Sequence, residues 1–168
     1  TEIGRLGDSN RRTVPLSDIP LDVQRAVLAA EDRDFYNHGG FSPVGIGRAV
    51  YNNVSGGSLQ GGSTITQQYA KNAYLTSERS FIRKARELIL SVKLEATVSK
   101  ESILEDYLNI IYLGRGAYGV ESASLAYFGV PVSQLNYEQG AVLAALIKAP
   151  SFYADNRRDL RARWRYVI

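Results

Sequence analysis

A mainly α-helical fold is predicted by three features of this 168-residue chain. Apolar residues recur at three- and four-residue steps through most of its length. Capping residues, glycines and prolines punctuate those stretches. No run alternates apolar and polar residues over strand length.

The elements follow in order. In "IPLDVQRAVLAAEDRDF", Asp22 is placed to cap a helix that carries Val23, Val27 and Ala30 on one face. A loop holding His38, Gly39 and Gly40 comes next. "SPVGIGRAVYNN" reads as a second helix weakened by two glycines, and "VSGGSLQGG" (54–62) reads as a flexible linker. Ser63 or Thr64 is placed to cap a helix running to about Ala73. "SERSFIRKARELILSVKLEATVS" is a long amphipathic helix on which Ile82, Ala85, Ile89, Val92 and Ala96 form one apolar stripe. "KESILEDYLNIIYLG" places Ile103, Leu104, Tyr107, Leu108 and Ile111 inward. "AYGVESASLAYFG" is a small-residue helix ended by Gly129 and Pro131. "NYEQGAVLAALIKAP" opens on an Asn136–Gln139 capping pair and stops at Pro150. The Arg-rich tail, about 155–168, is a last, exposed helix.

Composition bounds the function. The length fits one domain, 1–168, and a 45% hydrophobic content is enough for a real core. The net charge of +3, 20 Lys+Arg against 17 Asp+Glu, is concentrated in Arg157, Arg158, Arg161, Arg163 and Arg165. The remainder is near neutral, which argues against nucleic acid as a partner. Without cysteine there is neither a disulfide nor a thiolate metal site, and a single histidine, His38, excludes a multi-histidine centre. The lack of methionine, even at position 1, suggests a piece of a longer chain. The longest apolar run, "AVLAALI" (141–147), falls far short of the roughly 20 residues that span a bilayer. No signal peptide and no internal repeat is visible.

Three stretches carry candidate chemistry. In "GGSTITQQYAKN" (61–72), Thr64, Gln67 or Gln68, Lys71 and Leu75 fall on one helical face, and Ile65, Tyr69 and Ala73 on another. Hydroxyl, amide and ammonium groups beside a helix N-terminus suit an anion such as phosphate; a plain solvated face has the same pattern. In "AAEDRDFYNHGG", Glu31 lies four residues after Val27, at the edge of the apolar face. A carboxyl desolvated there is suited to general-base work; it could equally solvate a helix end or pair with Arg33. His38 reads as a loop hydrogen-bonder rather than a catalyst. In "ERSFIRKARE", Arg83 and Lys84 cluster with Glu87, with Arg79 one turn back. Such a group can neutralise a diphosphate, and a salt-bridged surface would look alike.

Together, "EDRDFYNHGG", "GGSTITQQYAKN", "RKARE", "KESILEDYLN" and "RGAYGVESASLAYFG" occur in an order that resembles the five signature motifs of the peptidoglycan glycosyltransferases, glycosyltransferase family 51. The resemblance covers about residues 18–153. It implies a lysozyme-like, mainly α fold with a head lobe and a smaller membrane-facing jaw, polymerising lipid II into glycan strands with inversion and release of undecaprenyl pyrophosphate. Glu31 matches the catalytic base and Glu87 the second essential acid. Ser63, Gln68, Lys71 and Asn72 match donor-site groups; Thr64 and Gln67 share that polar stretch. Arg79 and Arg83 match pyrophosphate-site cations, and Lys84 completes the "RK" pair. Asn109, Arg115 and Gly116 match the later motifs, more as structure than as chemistry, and Asp32 matches a structural partner for the loop. Val130 departs from the pattern, which has lysine there. Phe41, Val44, Ile46, Val50 and Tyr51, with Phe81 and Ile82, would form a membrane-touching flap or pack inside the domain.

The resemblance further implies a growing glycan strand and a membrane surface as partners, a transpeptidase domain and transmembrane anchor in the parent chain, and a place on the extracytoplasmic face of a bacterial membrane. It allows a divalent cation, Mg²⁺ or Mn²⁺, beside Glu87, and implies moenomycin as a donor-mimicking inhibitor. Two rivals stand: a lytic enzyme on the same fold, and a non-catalytic module that binds anionic membrane through the Arg-rich tail.

Overall fold

The structure is a computed structural model that describes residues 12–43, 62–75 and 81–167. Among these residues it is mainly helical and has no strand; Tyr112 and Tyr118 form an isolated antiparallel bridge. The α-helices are α1 (Leu21–Glu31), α2 (Ile65–Tyr74), α3 (Phe81–Thr97), α4 (Lys100–Ile110), α5 (Val120–Phe128), α6 (Tyr137–Leu146), α7 (Pro150–Asp155) and α8 (Arg157–Val167). Residues 44–61, which hold most of the helix expected in "SPVGIGRAVYNN" and of the linker that follows it, lie outside the described residues, and Val44, Ile46, Val50 and Tyr51 are among them.

The chain divides into two compact units, Leu28–Tyr107 and Thr1–Val27 with Leu108–Ile168. In the first, Phe35, Ile65, Tyr69, Ala70, Ile103, Leu104 and Tyr107 are buried, and α2 packs on α3. The loop after α1 is drawn tightly onto α3. Gly40 has a φ of +85°, and a Cβ there would lie 2.8 Å from the carbonyl carbon and oxygen of Ser91. Only glycine adopts that backbone at that approach without strain. The Gly40 carbonyl in turn accepts a hydrogen bond from the Thr64 hydroxyl at 2.9 Å.

Helix α3 reverses the ordinary expectation for an amphipathic helix, whose apolar stripe faces the core. Ile82, Ile89 and Val92 are 65%, 59% and 42% exposed, while Glu87 and Ser91 are 3% and 0% exposed. The reason lies in what α3 packs against. Its inward row meets the Gly40 backbone and the polar side of α2, where Thr66 donates to Glu95 at 2.5 Å. Glu87, Ser91 and Glu95 recur every four residues and so share one face.

In the second unit, Val23, Ile111, Leu113, Val120, Leu143 and Leu146 are buried. Helix α6 is apolar around most of its circumference. Its Gly140 sits against Val23, where an added Cβ would lie 2.9 Å from Cγ2. The Asn136–Gln139 capping box is present, and Gly129 caps α5 in the left-handed conformation. Asp22 lies in the first turn of α1 instead of capping it, because Pro20 already supplies the entry: its carbonyl accepts from the N–H groups of Val23 and Gln24. The Arg-rich tail, expected as an exposed helix, packs on α6. Leu160 and Trp164 line a pocket with Phe128 and Val142, and Arg158, Arg161 and Arg165 face outward. No helix among the described residues is long and apolar enough to cross a membrane.

Candidate active site

The candidate site is built around α2. Its N-terminus is fixed by a reciprocal capping box. The Gln67 N–H donates to Thr64 Oγ1 at 3.2 Å, and the Thr64 N–H donates to Gln67 Oε1 at 3.4 Å. Thr64 and Gln67, placed by spacing on the ligand-facing surface, therefore turn inward and are 2% and 4% exposed. Gln68, Lys71 and Asn72 remain on the outer side; Lys71 and Asn72 are exposed and Gln68 is half-buried.

Glu31 is the last residue of α1 and is half-buried. Its Oε2 accepts a hydrogen bond from Gln68 Nε2 at 2.9 Å. Arg33, the alternative partner, instead donates from Nε to the Ala29 carbonyl at 3.1 Å. Behind Gln68, the Tyr107 hydroxyl donates to Oε1 at 3.1 Å. Tyr107 is fully buried, and burial first, then the charges of Glu31 and Asp32, push its hydroxyl well above the usual tyrosine range.

Asp32 anchors the loop. Both its carboxylate oxygens lie 3.0 Å from His38 Nε2, and Oδ2 accepts from the Ile65 N–H at 3.0 Å. This ties the end of α1 to the start of α2, and His38 is a loop hydrogen-bonder as expected. Lys100 completes the support. Its Nζ donates to the His38 carbonyl and pairs with Glu95, each at 2.6 Å, and it lies 4.4 Å over the Phe35 ring.

The second acid reaches the same segment through a lysine. Glu87 is paired at 2.5 Å with Lys84 Nζ, which also donates to Ser63 Oγ at 2.9 Å. Glu31 is therefore tied to residues 63–74 through Gln68, and Glu87 through Lys84 and Ser63. Arg83, one residue away, is partly buried. Arg79 lies outside the described residues. The ion pair is asymmetric, since the Lys84 side chain is 52% exposed and that of Glu87 is 4% exposed. Removing the lysine leaves a desolvated carboxylate. Lys84→Met is expected to cost about 1–3 kcal/mol in urea denaturation, with part restored by adding Glu87→Gln. A cost below about 0.5 kcal/mol would mark the pair as an ordinary surface one.

Asn109 and Arg115 belong to the other unit. The Asn109 amide holds the Val14 backbone, accepting from its N–H and donating to its carbonyl, both at 2.9 Å. Arg115 has a φ of +52° and stacks its guanidinium 4.6 Å from the Tyr127 ring centre. Sequence reasoning had Tyr107 only as a core residue and did not single out Thr66, Glu95 or Lys100. The one available signal was a lysine and a tyrosine hydroxyl within a helix otherwise patterned for burial. Among the described residues no group of three His, Asp or Glu side chains gathers as a metal-ligand set.

The family model described as Transglycosylase matches residues 1–168. Penicillin-binding protein 1A of Mycobacterium tuberculosis is 52% identical over 167 residues, covering 96% of this chain and 20% of that protein. Penicillin-binding protein 1F of Bacillus subtilis is 47% identical over 154 residues, covering 91% of this chain and 22% of the relative. Penicillin-binding protein 1A of Aquifex aeolicus is 50% identical over 151 residues, covering 89% and 21%. The chain thus spans about a fifth of the length of the curated relatives it matches.

Proposed function

This chain belongs to the transglycosylase family, as a peptidoglycan glycosyltransferase domain of the penicillin-binding-protein type, and we propose that it polymerises lipid II into β-1,4-linked glycan strands. The observation that carries the reading is the convergence of both acids on residues 63–74, one through Gln68 and the other through Lys84 and Ser63. Glu31 would take the proton of the acceptor sugar's 4-hydroxyl. That oxygen attacks the anomeric carbon of the donor, the bond to the pyrophosphate oxygen breaks, and undecaprenyl pyrophosphate leaves with inversion. Lys71, Arg83 and Lys84, with Arg79, would offset the charge that develops on the departing phosphates, while Ser63 and Asn72 orient the donor. Glu87 would keep Lys84 in place. It is also the residue that would hold an Mg²⁺ or Mn²⁺, an ion that would supply further charge relief. Moenomycin would occupy the donor half of the site.

Incubation with labelled lipid II in detergent tests the assignment. Long glycan products are expected. Soluble fragments released from intact sacculi, with no polymer, would instead identify a lytic enzyme. The cation group favours the transferase, because hydrolysis of a glycan has no diphosphate to neutralise.

The outward stripe of α3 supports a membrane surface as partner. Ile82, Leu88, Ile89 and Val92 are 40–65% exposed, and Phe41 is 41% exposed. In the parent chain this stripe would rest on the extracytoplasmic face of the membrane, beside a transmembrane anchor, with a transpeptidase domain elsewhere in the same polypeptide. Ile82→Ser with Ile89→Ser is expected to reduce cosedimentation with anionic phospholipid vesicles at least several-fold, removing two apolar contacts of about 1.5 kcal/mol or more each, without lowering the unfolding midpoint. Unchanged vesicle binding would contradict it.

A further inference from the structure

We propose that Tyr107 and Gln68 form a positioning relay that aims two hydrogen-bond donors in series at Glu31 and holds its carboxylate in the basic form. The proposal deepens the reading of Glu31 as the base and rests on it.

The direction of the relay is set by chemistry. An amide carbonyl only accepts and an amide NH₂ only donates. Tyr107 donates to Gln68 Oε1 at 3.1 Å, and Gln68 Nε2 donates to Glu31 Oε2 at 2.9 Å. The reversed amide would press its carbonyl oxygen against the carboxylate, an arrangement compatible only with a protonated Glu31. The acceptor-only Glu31 carboxylate therefore fixes the amide orientation, and with the amide oxygen turned to Tyr107 that hydroxyl serves as the donor. Its own hydroxyl, pushed well above the usual tyrosine range chiefly by burial, keeps its proton throughout any working pH range and so remains a donor. A buried hydroxyl is costly without a partner; phenylalanine would fill the same core volume without needing one.

The neighbouring charged groups are already committed to one another. Asp32, next to Glu31, is held by His38 and the Ile65 N–H. Glu95 and Lys100 pair together. Lys71 lies one turn beyond Gln68 and is exposed. The relay is a path by which α2 and α4 act on the Glu31 carboxylate. It also gives Gln68 a role different from donor contact, because both ends of its amide are engaged within the chain.

The test uses Tyr107→Phe and Gln68→Leu in the full chain, with two readouts. Carbon-13 titration of the Glu31 carboxyl is expected to show its midpoint rising by about 1 pH unit in Gln68→Leu, from loss of a donor to the charged form, and by less in Tyr107→Phe. The acid limb of the kcat/KM profile for lipid II polymerisation should move with it, and kcat should fall with the donor KM unchanged. A donor-contact role for Gln68 predicts the opposite split, a raised KM with kcat and the titration midpoint unmoved, and would overturn the relay. Tyr107→Phe retains the buried ring, so it reports the hydroxyl even where Gln68→Leu folds poorly. The two readings fail separately. A shifted midpoint with an active Glu31→Gln variant leaves the relay standing and removes the base assignment. An unmoved midpoint with an inactive Glu31→Gln variant does the reverse.

Discussion

Glu31→Gln is expected to lower lipid II polymerisation by about 10²–10⁴-fold, the range that a positioned general base supplies. The substitution is sterically mild, and the new amide oxygen can still accept from Gln68 Nε2, which now donates to the Glu31 carboxylate. What is lost is the ability to take a proton from the acceptor hydroxyl. Donor binding should persist, because Lys71, Arg83 and Lys84, proposed to meet the phosphates, are untouched. Initial rates with labelled lipid II, read beside calorimetric titration with moenomycin, separate the two effects. Near-normal turnover would remove Glu31 from the chemistry, and lost moenomycin binding would show that the substitution had disturbed the site as a whole.

Gly40→Ala is expected to carry the largest cost in stability, about 2–4 kcal/mol, combining a left-handed backbone with overpacking. The atoms that an added Cβ would meet, the Ser91 carbonyl group at 2.8 Å and the Val92 nitrogen at 2.9 Å, are helix backbone and cannot swing aside. Either α3 or the 32–43 loop must move. The Thr64–Gly40 and Lys100–His38 hydrogen bonds that brace α2 and the end of α1 would be disturbed with it. Gly39→Ala is the control, since nothing lies within 4 Å of its Cβ position. Chemical denaturation of the two variants should differ by the full amount. Equal stabilities would mean that the loop is not held by this contact.

Much of the local structure around these residues could be read from the sequence alone, and the exceptions have physical causes. The α6 cap was legible because Asn136 precedes a glutamine by three residues, a local pattern that needs no tertiary information, and of the two candidates for α2, Ser63 and Thr64, it is Thr64 that caps. The inward face of α4 was legible for the same kind of reason: Ile103, Leu104, Tyr107 and Leu108 repeat at helical spacing and are buried. The orientation of α3 was not. Periodicity finds a stripe but not which side of it meets the rest of the unit, and here Glu87 and Ser91 face in while Ile82 and Ile89 face out. For Thr64 and Gln67 the sequence left both a ligand-facing and a capping use open, because one polar side chain serves either, and the position of the N–H groups shows the capping use. The Tyr107–Gln68–Glu31 path joins residues 37 and 39 positions apart; no local spacing rule reaches that far.

The most direct measurement is a crystal structure of the chain with a non-reacting lipid II analogue in the donor position and a glycan acceptor beside it. The acceptor 4-oxygen is expected within hydrogen-bond distance of the Glu31 carboxylate, and the pyrophosphate against Lys71, Arg83 and Lys84 on the opposite side of the anomeric carbon. A pyrophosphate bound away from these cations, or an acceptor oxygen out of reach of Glu31, would contradict it.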